Sequence, residues 1–527
     1  MMRRNLKGKG GFMMEKLKVS IRWWASLISV VTAILLLTVS VAKADVTPQY
    51  GGVIKIVDLS EGGQPIGAPW EVRGIDQNLM RPAVESLLRE DINGNYHPWL
   101  ATEWKIDQLK NTITLFLRKG VKFHDGTDLN AEAVKWCIDQ AIEAKMIKGF
   151  KSVDSLDEHT VRINVDRYQN NMLNVLAGSL TSPVSPAAFK NKGKDWARWN
   201  PVGTGPFKFV SYERGNKLTF TKWEGYREKA KPYLDGIEFF FVRDPMTQQA
   251  AMRASGTEKL DVLAVTSGEQ AAILKGMGLK ILNMFTGTVS LIPDSNNPES
   301  PLSKKIVRQA ISYAINREAI AKARGFGFWA PANQVPPSGK PGYVKESEFG
   351  KYDPQKAKRL LSEAGYPNGF KIKGFVQPAL VDRDSMVAVQ RFLDEVGIKV
   401  EIEFPDGGKY NNYRFKGWQN GFLGQAVRVL ATTNITYNFY FHTITGICPS
   451  LKRPEGFLNK LDASLNALAP EKTRMEELTR MIIDDTMIIP LYYVSEFRIL
   501  QPNVHGTGYF EWEAGTFYTP EDMWLSK

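Results

Sequence analysis

Histidine and cysteine are scarce in this chain of 527 residues, which holds five of the first and two of the second. His97, His124, His159, His442 and His505 never fall into H-x-x-x-H or H-E-x-x-H spacing, so neither a helical zinc site nor a metalloprotease motif is present. No Gly-x-Ser-x-Gly elbow occurs, and no Gly-Lys-Ser/Thr completes the glycine-rich loop Pro201–Phe207, so that loop reads as a turn rather than a phosphate cradle. There is no repeat period and no low-complexity tract, which excludes a solenoid or propeller. Cys137 stands at helical spacing with Val134, Ile138 and Ala141, so a buried thiol is expected in preference to a bridge with Cys448.

Long apolar runs are also missing, apart from Leu27–Val41. Lys16, Lys18 and Arg22 precede that run, and Ala42-Lys43-Ala44 follows it as an A-x-A cleavage site. The run is short for a membrane span of about 20 residues. Residues 1–44 are therefore expected to be a cleavable signal peptide, and the mature chain to be periplasmic. No cysteine lies near the site to carry a lipid. The net charge of +12 is concentrated in this segment, which holds eight Lys/Arg and one Glu. The mature chain is then only moderately basic, and a nucleic-acid partner is not expected.

The remaining sequence is long enough for two to four lobes and alternates strand and helix signals. Val53–Val57 and Val161–Val165 read as strands, and Pro82–Trp104 as a helix followed by a tight Asn93-Gly94 turn. In LRKGVKFHDGTDLNAEAVKW (Leu117–Trp136), Leu115 and Leu117 alternate as on a strand. His124-Asp125-Gly126 is turn chemistry, and Asn130 is placed to cap a helix. His124-Asp125 could be imagined as an acid–base pair, but the turn reading is preferred. Val307, Ala310, Ile311, Ala314 and Ile315 form one apolar helix face. Asp353-Pro354 opens a helix that Gly365 stops. Asp382–Val396 is a further helix, Ile398–Phe404 a strand, and Ile488–Tyr493 a buried strand. Asp484-Asp485 is read as a solvated helix end rather than a catalytic pair.

Several of these passages share a likeness. LRKGVKFHDGTDLNAEAVKW closely resembles a signature of the family 5 solute-binding proteins of ABC importers. PVGTGPF (201–207), VRQAISYAINR (307–317) and YDPQKAKRLLSEAGYPNGF (352–370) resemble further family passages, in family order. The resemblance implies an α/β, periplasmic-binding-protein-like fold of cluster C type, with two hinged lobes and an extra segment packed on the first. The implied division is lobe I at 45–85, 200–300 and 498–527, segment II at 86–199, and lobe III at 301–497. It further implies a monomeric receptor without cofactor, metal or catalysis, which hands a small-molecule or peptide-like ligand to ABC permease and ATPase subunits. A secreted hydrolase is the alternative class.

In peptide-binding members a stretch of lobe III reads roughly Trp-x-x-Asp-Tyr-x-Asp-Pro, and its first Asp pairs with the ligand's α-ammonium. The matching stretch here is Gly421–Arg428, with Gln425 at the Trp position and Arg428 at the Asp position. On this alignment the counter-charge is reversed, which suits a carboxylate, sulfonate or phosphate; otherwise Arg428 is a surface residue. Trp418, Tyr437 and Phe439 either line the cleft or belong to core. Glu61, Trp70 and Arg81 are candidates by family position alone.

Overall fold

The computed structural model describes residues 47–60, 62–345, 350–379, 381–430, 432–442, 446–512 and 518–527; the targeting segment at 1–44 and Glu61 lie outside them. One long sheet organises the molecule. Its strands are β1 (Val53–Val57), β2 (Phe207–Glu213), β3 (Lys217–Lys222), β4 (Gly236–Phe240), β5 (Val262–Val265), β6 (Lys280–Pro293), β7 (Ala330–Pro331), β8 (Phe370–Val376), β9 (Ile398–Glu403), β10 (Gly421–Arg428) and β11 (Ile489–Leu500). The spatial order is β9-β8-β10-β6-β11-β5-β1-β4-β3-β2, with β7 paired to β11.

The two longest strands, β6 and β11, lie side by side and antiparallel in the middle. To one side, β8 runs parallel to β9 and β10. To the other, β1 runs parallel to β4 and β5. Two parallel-strand lobes are thus joined through one antiparallel pair. The register of that pair slips between Phe285 and Gly287, where the extra residue Thr286 makes a bulge that bends the strand.

Residues of β1, β3 and β4 share a core with a separate four-stranded sheet formed by Ala101–Asp107, Thr112–Leu117, Thr160–Val165 and Phe150–Asp157. This extra segment therefore packs on the first lobe. The second lobe has one core on each face of its sheet. One is built on the helices Lys305–Ala314 and Arg383–Asp394, and the other on Thr433–Phe441 and Lys472–Asp485.

Local signals hold where their partners are local. Asn130 Oδ1 accepts the Ala133 N–H at 2.9 Å and starts the helix Ala131–Glu143. Asp353 and Asp382 cap their helices through the N–H groups of Lys356 and Ser385, at 2.8 and 2.7 Å. Asp91 Oδ1 accepts from the backbone of Asn93 and Asn95, which fixes the expected tight turn.

The helix expected after Pro82 does not form; that stretch is a turn leading into the short strand Leu88–Glu90. Its carbonyls are used by a distant segment. Gly205 and Phe207 donate their N–H groups to Ala83 O and Pro82 O at 3.0 and 2.9 Å. A carbonyl bonded to another segment no longer serves the next helical turn. This docking also explains the glycines of Pro201–Phe207. A Cβ on Gly203 would stand 2.0 Å from Ala83 O, and one on Gly205 2.6 Å from Pro82 O. Asp485 is not simply a solvated end, because it accepts from the buried Arg308 Nη2 at 2.7 Å.

Candidate functional site

β10 ends at Arg428, at the carboxyl end of a parallel strand, where open α/β sheets hold ligands. Arg428 lies opposite Gly287, which lies opposite Val494. Cross-strand partners share a face. Glu496 and Arg498 follow at two-residue steps along the same face of β11. A row of charges thus runs along the strand that joins the lobes.

The helix Thr433–Phe441 fixes the backbone of Arg428. Its N–H donates to Tyr440 Oη at 3.0 Å, and its carbonyl accepts Thr436 Oγ1 at 3.4 Å. Its half-buried guanidinium has no carboxylate partner among the described residues. Arg498, by contrast, is 1% exposed. It donates to Phe497 O at 3.1 Å, stands 3.8 Å from Glu496 Oε2, and lies over the Tyr509 ring at 5.2 Å. Asp58, just past β1, faces it. Burial raises the Asp58 carboxyl above its ordinary range, against the opposing pull of Arg498 and of the Ser60 N–H.

Between the lobes lies a cavity of ≈ 670 Å³, within the range of about 300–1,000 Å³ usual for small-molecule sites. The Asn93–Tyr96 turn and Trp104 of the extra segment border one side. Lys340 and the stretch Leu468–Met475 border the other. Lys340 Nζ crosses the gap and donates to Ile92 O at 2.9 Å. Burial lowers this ammonium to about 8, with Glu90 and Asp91 opposing the shift. A second cavity of ≈ 610 Å³ includes Phe285 and Tyr493 of the joining strands, and Tyr343 borders both cavities.

Farther along the same cleft the lobes touch directly. Asn170 donates its N–H to Leu465 O and its Nδ2 to Ser464 O, both at 2.7 Å. Tyr168 Oη donates to Leu468 O at 2.9 Å, and Gln108 Nε2 to Asn466 O at 2.7 Å.

The residues singled out from the sequence are not all brought together. Gln425 and Arg428 share β10. Gln425 Nε2 donates to Ala426 O at 2.7 Å, and its Oε1 accepts the Tyr410 hydroxyl at 3.2 Å. Trp418 and Tyr437 are buried in one core. Tyr437 pairs with Thr479 Oγ1 at 2.8 Å, while Trp418 Nε1 has no acceptor among the described residues. Phe439 is exposed on the same helix. Trp70 is in the other lobe's core, edge-on to Trp136 at 5.3 Å. Arg81 is half-buried beside Arg89 and Tyr518. Lys340 and Asn170 were missed. Lys340 could have been noticed as the lone charge in the Pro/Gly-rich stretch Pro336–Gly342; Asn170 carries no sequence signal.

His124 and Asp125 form a structural turn. His124 N–H donates to Gly203 O, and Nε2 pairs with Gly205 O, both at 2.9 Å. Burial pushes the imidazole down to about 4, so it is neutral at pH 7. Cys137 and Cys448 are buried free thiols, each raised to about 12 by burial. Among the described residues no group of three or more His, Cys, Asp or Glu is placed to hold a metal ion, and no helix is long and apolar enough to cross a membrane.

Comparison with known proteins gives the same architecture. The model of the bacterial extracellular solute-binding proteins, family 5 Middle, matches residues 95–446. The glutathione-binding protein GsiB of Escherichia coli (strain K12) is 32% identical over 319 residues, 59% of this chain and 61% of that protein. The match therefore spans about three fifths of the length of these curated relatives. Two solved structures share the fold. AgaA from A. tumefacien R10, in complex with agropinic acid, is 23% identical with a TM-score of 0.70 over 90% of this chain and 99% of its own. DppA from Helicobacter pylori, in complex with the peptide STSA, is 21% identical with a TM-score of 0.72 over 91% and 99%. The fold is that of a periplasmic binding protein, with two lobes, a hinge through β6 and β11, and an extra segment on the first lobe. With a family model matched over more than half of its length, this chain belongs to the bacterial extracellular solute-binding proteins of family 5.

Proposed function

We propose that this protein is the periplasmic receptor of an ABC importer. It captures a small polar or anionic solute between its lobes and delivers it to a membrane permease, with no chemistry of its own. The observation that carries this reading is the cavity of ≈ 670 Å³ between the extra segment and the second lobe, in a molecule whose lobes are joined through one antiparallel strand pair. A site bordered by the extra segment, which packs on the first lobe, and by the second lobe couples binding to closure, because a ligand touching both favours the closed arrangement. The division into lobe I (45–85, 200–300, 498–527), segment II (86–199) and lobe III (301–497) belongs to this proposal. The shared core of the first lobe and the extra segment supports it.

Arg428 does not line this cavity; it is proposed as an anion contact at the carboxyl end of β10, and its guanidinium without a carboxylate partner among the described residues supports that role. Export with cleavage after Ala44 follows from the targeting segment, and a monomer is what the family resemblance implies. Small-angle scattering tests the receptor reading. The right solute compacts the chain and is recovered chemically unchanged by mass spectrometry, whereas a released product would return the protein to the hydrolases. N-terminal sequencing of periplasmic material should begin at Asp45.

A further inference from the structure

We propose that the inter-lobe cavity selects an anion with an apolar body, whose negative end is bound by the partly buried ammonium of Lys340. This inference rests on the receptor reading and names its substrate class.

The lining of the cavity is sharply divided. Its charged residues among the described ones are Lys340 and Lys472, both cations. Trp104, Ile106, Leu173 and Met475 give it an apolar wall. Lys340 presents three N–H donors, and Ile92 O takes one at 2.9 Å; it has no other hydrogen-bond acceptor among the described residues. The nearby carboxylates do not compete as lining groups. Asp91 is held by the backbone of Asn93 and Asn95 and by His97 at 3.1 Å. Glu90 accepts from Asn174. A cationic ligand would therefore meet two ammonium groups with no carboxylate on the wall, whereas a carboxylate would complete the donors of Lys340. A charge partner counts for more at a partly buried ammonium than at an exposed one, since water screens the pair less there. The depression of this group to about 8 leaves it charged at pH 7.

The test uses the mature chain and two probes of one shape, N-acetyl-leucyl-leucine and its C-terminal amide. Calorimetry at pH 7 is expected to show the acid binding at least tenfold tighter than the amide. Lys340→Met should bring the two within twofold, and Lys340→Arg should keep the preference. Equal or tighter binding of the amide, no binding of either probe at millimolar concentration, or an undiminished preference in Lys340→Met overturns the inference. Lys340→Arg guards against a Met variant that fails to fold, because loss of preference in a folded Arg variant also counts against the assignment. Failure of the receptor reading looks different. If solute co-purified with the protein still compacts the lobes while the probes fail, the receptor stands and only the anion inference falls.

Discussion

Asn170 caps a helix that belongs to the opposite lobe: its N–H meets Leu465 O at 2.7 Å, at the last residue of Phe457–Leu465. The carbonyls at a helix end have no intrahelical donor, and here the other lobe supplies it. The contact between the lobes is thus held by groups outside the cavity lining.

Asn170→Ala removes the bonds from Nδ2 to Ser464 O and Ala467 O. At about 1 kcal/mol net for each, closure is weakened by about 2 kcal/mol, roughly 30-fold. Small-angle scattering should show a larger radius of gyration, and ligand affinity should fall although Asn170 touches no part of the cavity wall. An unchanged radius would show that the clasp contributes nothing to closure.

Arg428→Ala is expected to weaken an anionic ligand at least tenfold, because losing a buried charge partner costs about 2–5 kcal/mol. Thermal stability should stay nearly constant, since the guanidinium has no carboxylate partner to abandon among the described residues. Unmodified di- to pentapeptides should bind weakly or not at all. Calorimetry on both proteins decides this, and tight binding of a plain peptide would remove Arg428 from the cleft.

Gly203→Ala forces a Cβ to 2.0 Å from Ala83 O. The contact is backbone on one side and a tight loop on the other, so relief requires the loop to move. Overpacking of this kind costs about 3 kcal/mol, and a denaturant titration should show it. Gly276→Ala is the control. Its Cβ meets nothing within 4 Å, and in a helix it should gain about 0.5–1 kcal/mol.

Acid should act through His124. Its folded value of about 4 lies below the ordinary 6.5, so between these values the unfolded chain binds the proton and the folded chain does not. Stability from this group is complete above pH 6.5 and is lost as pH falls toward 4, on the order of 3 kcal/mol in all. The loss of stability from pH 7 to 4 should be shallower in His124→Gln than in the parent. Parallel curves would place the acid sensitivity elsewhere.

How far the sequence could be read depended on the reach of each interaction. Asn130, Asp353 and Asp382 cap helices through N–H groups three residues away, so their roles were visible locally. The missing helix after Pro82 turns on Gly205 and Phe207, more than a hundred residues distant. The pairing of Asp485 with Arg308 spans 177 residues. β11 was read only to Tyr493, because Glu496 and Arg498 interrupt its apolar run; both are held within the charged row of the joined lobes. Aromatic residues were the hardest. Trp70, Trp418 and Tyr437 are buried while Phe439 is exposed, and nothing in an indole or phenol side chain announces whether it will meet core or cleft.

The two thiols have a practical consequence. Cys137 and Cys448 are fully buried, and with thiols near 12 they carry almost no thiolate at neutral pH. The folded chain should therefore ignore maleimides and Ellman's reagent, and show both thiols only in denaturant. A single cysteine placed on each lobe could then carry a dye pair without background labelling, which would turn the molecule into an optical reporter of its own opening and closing.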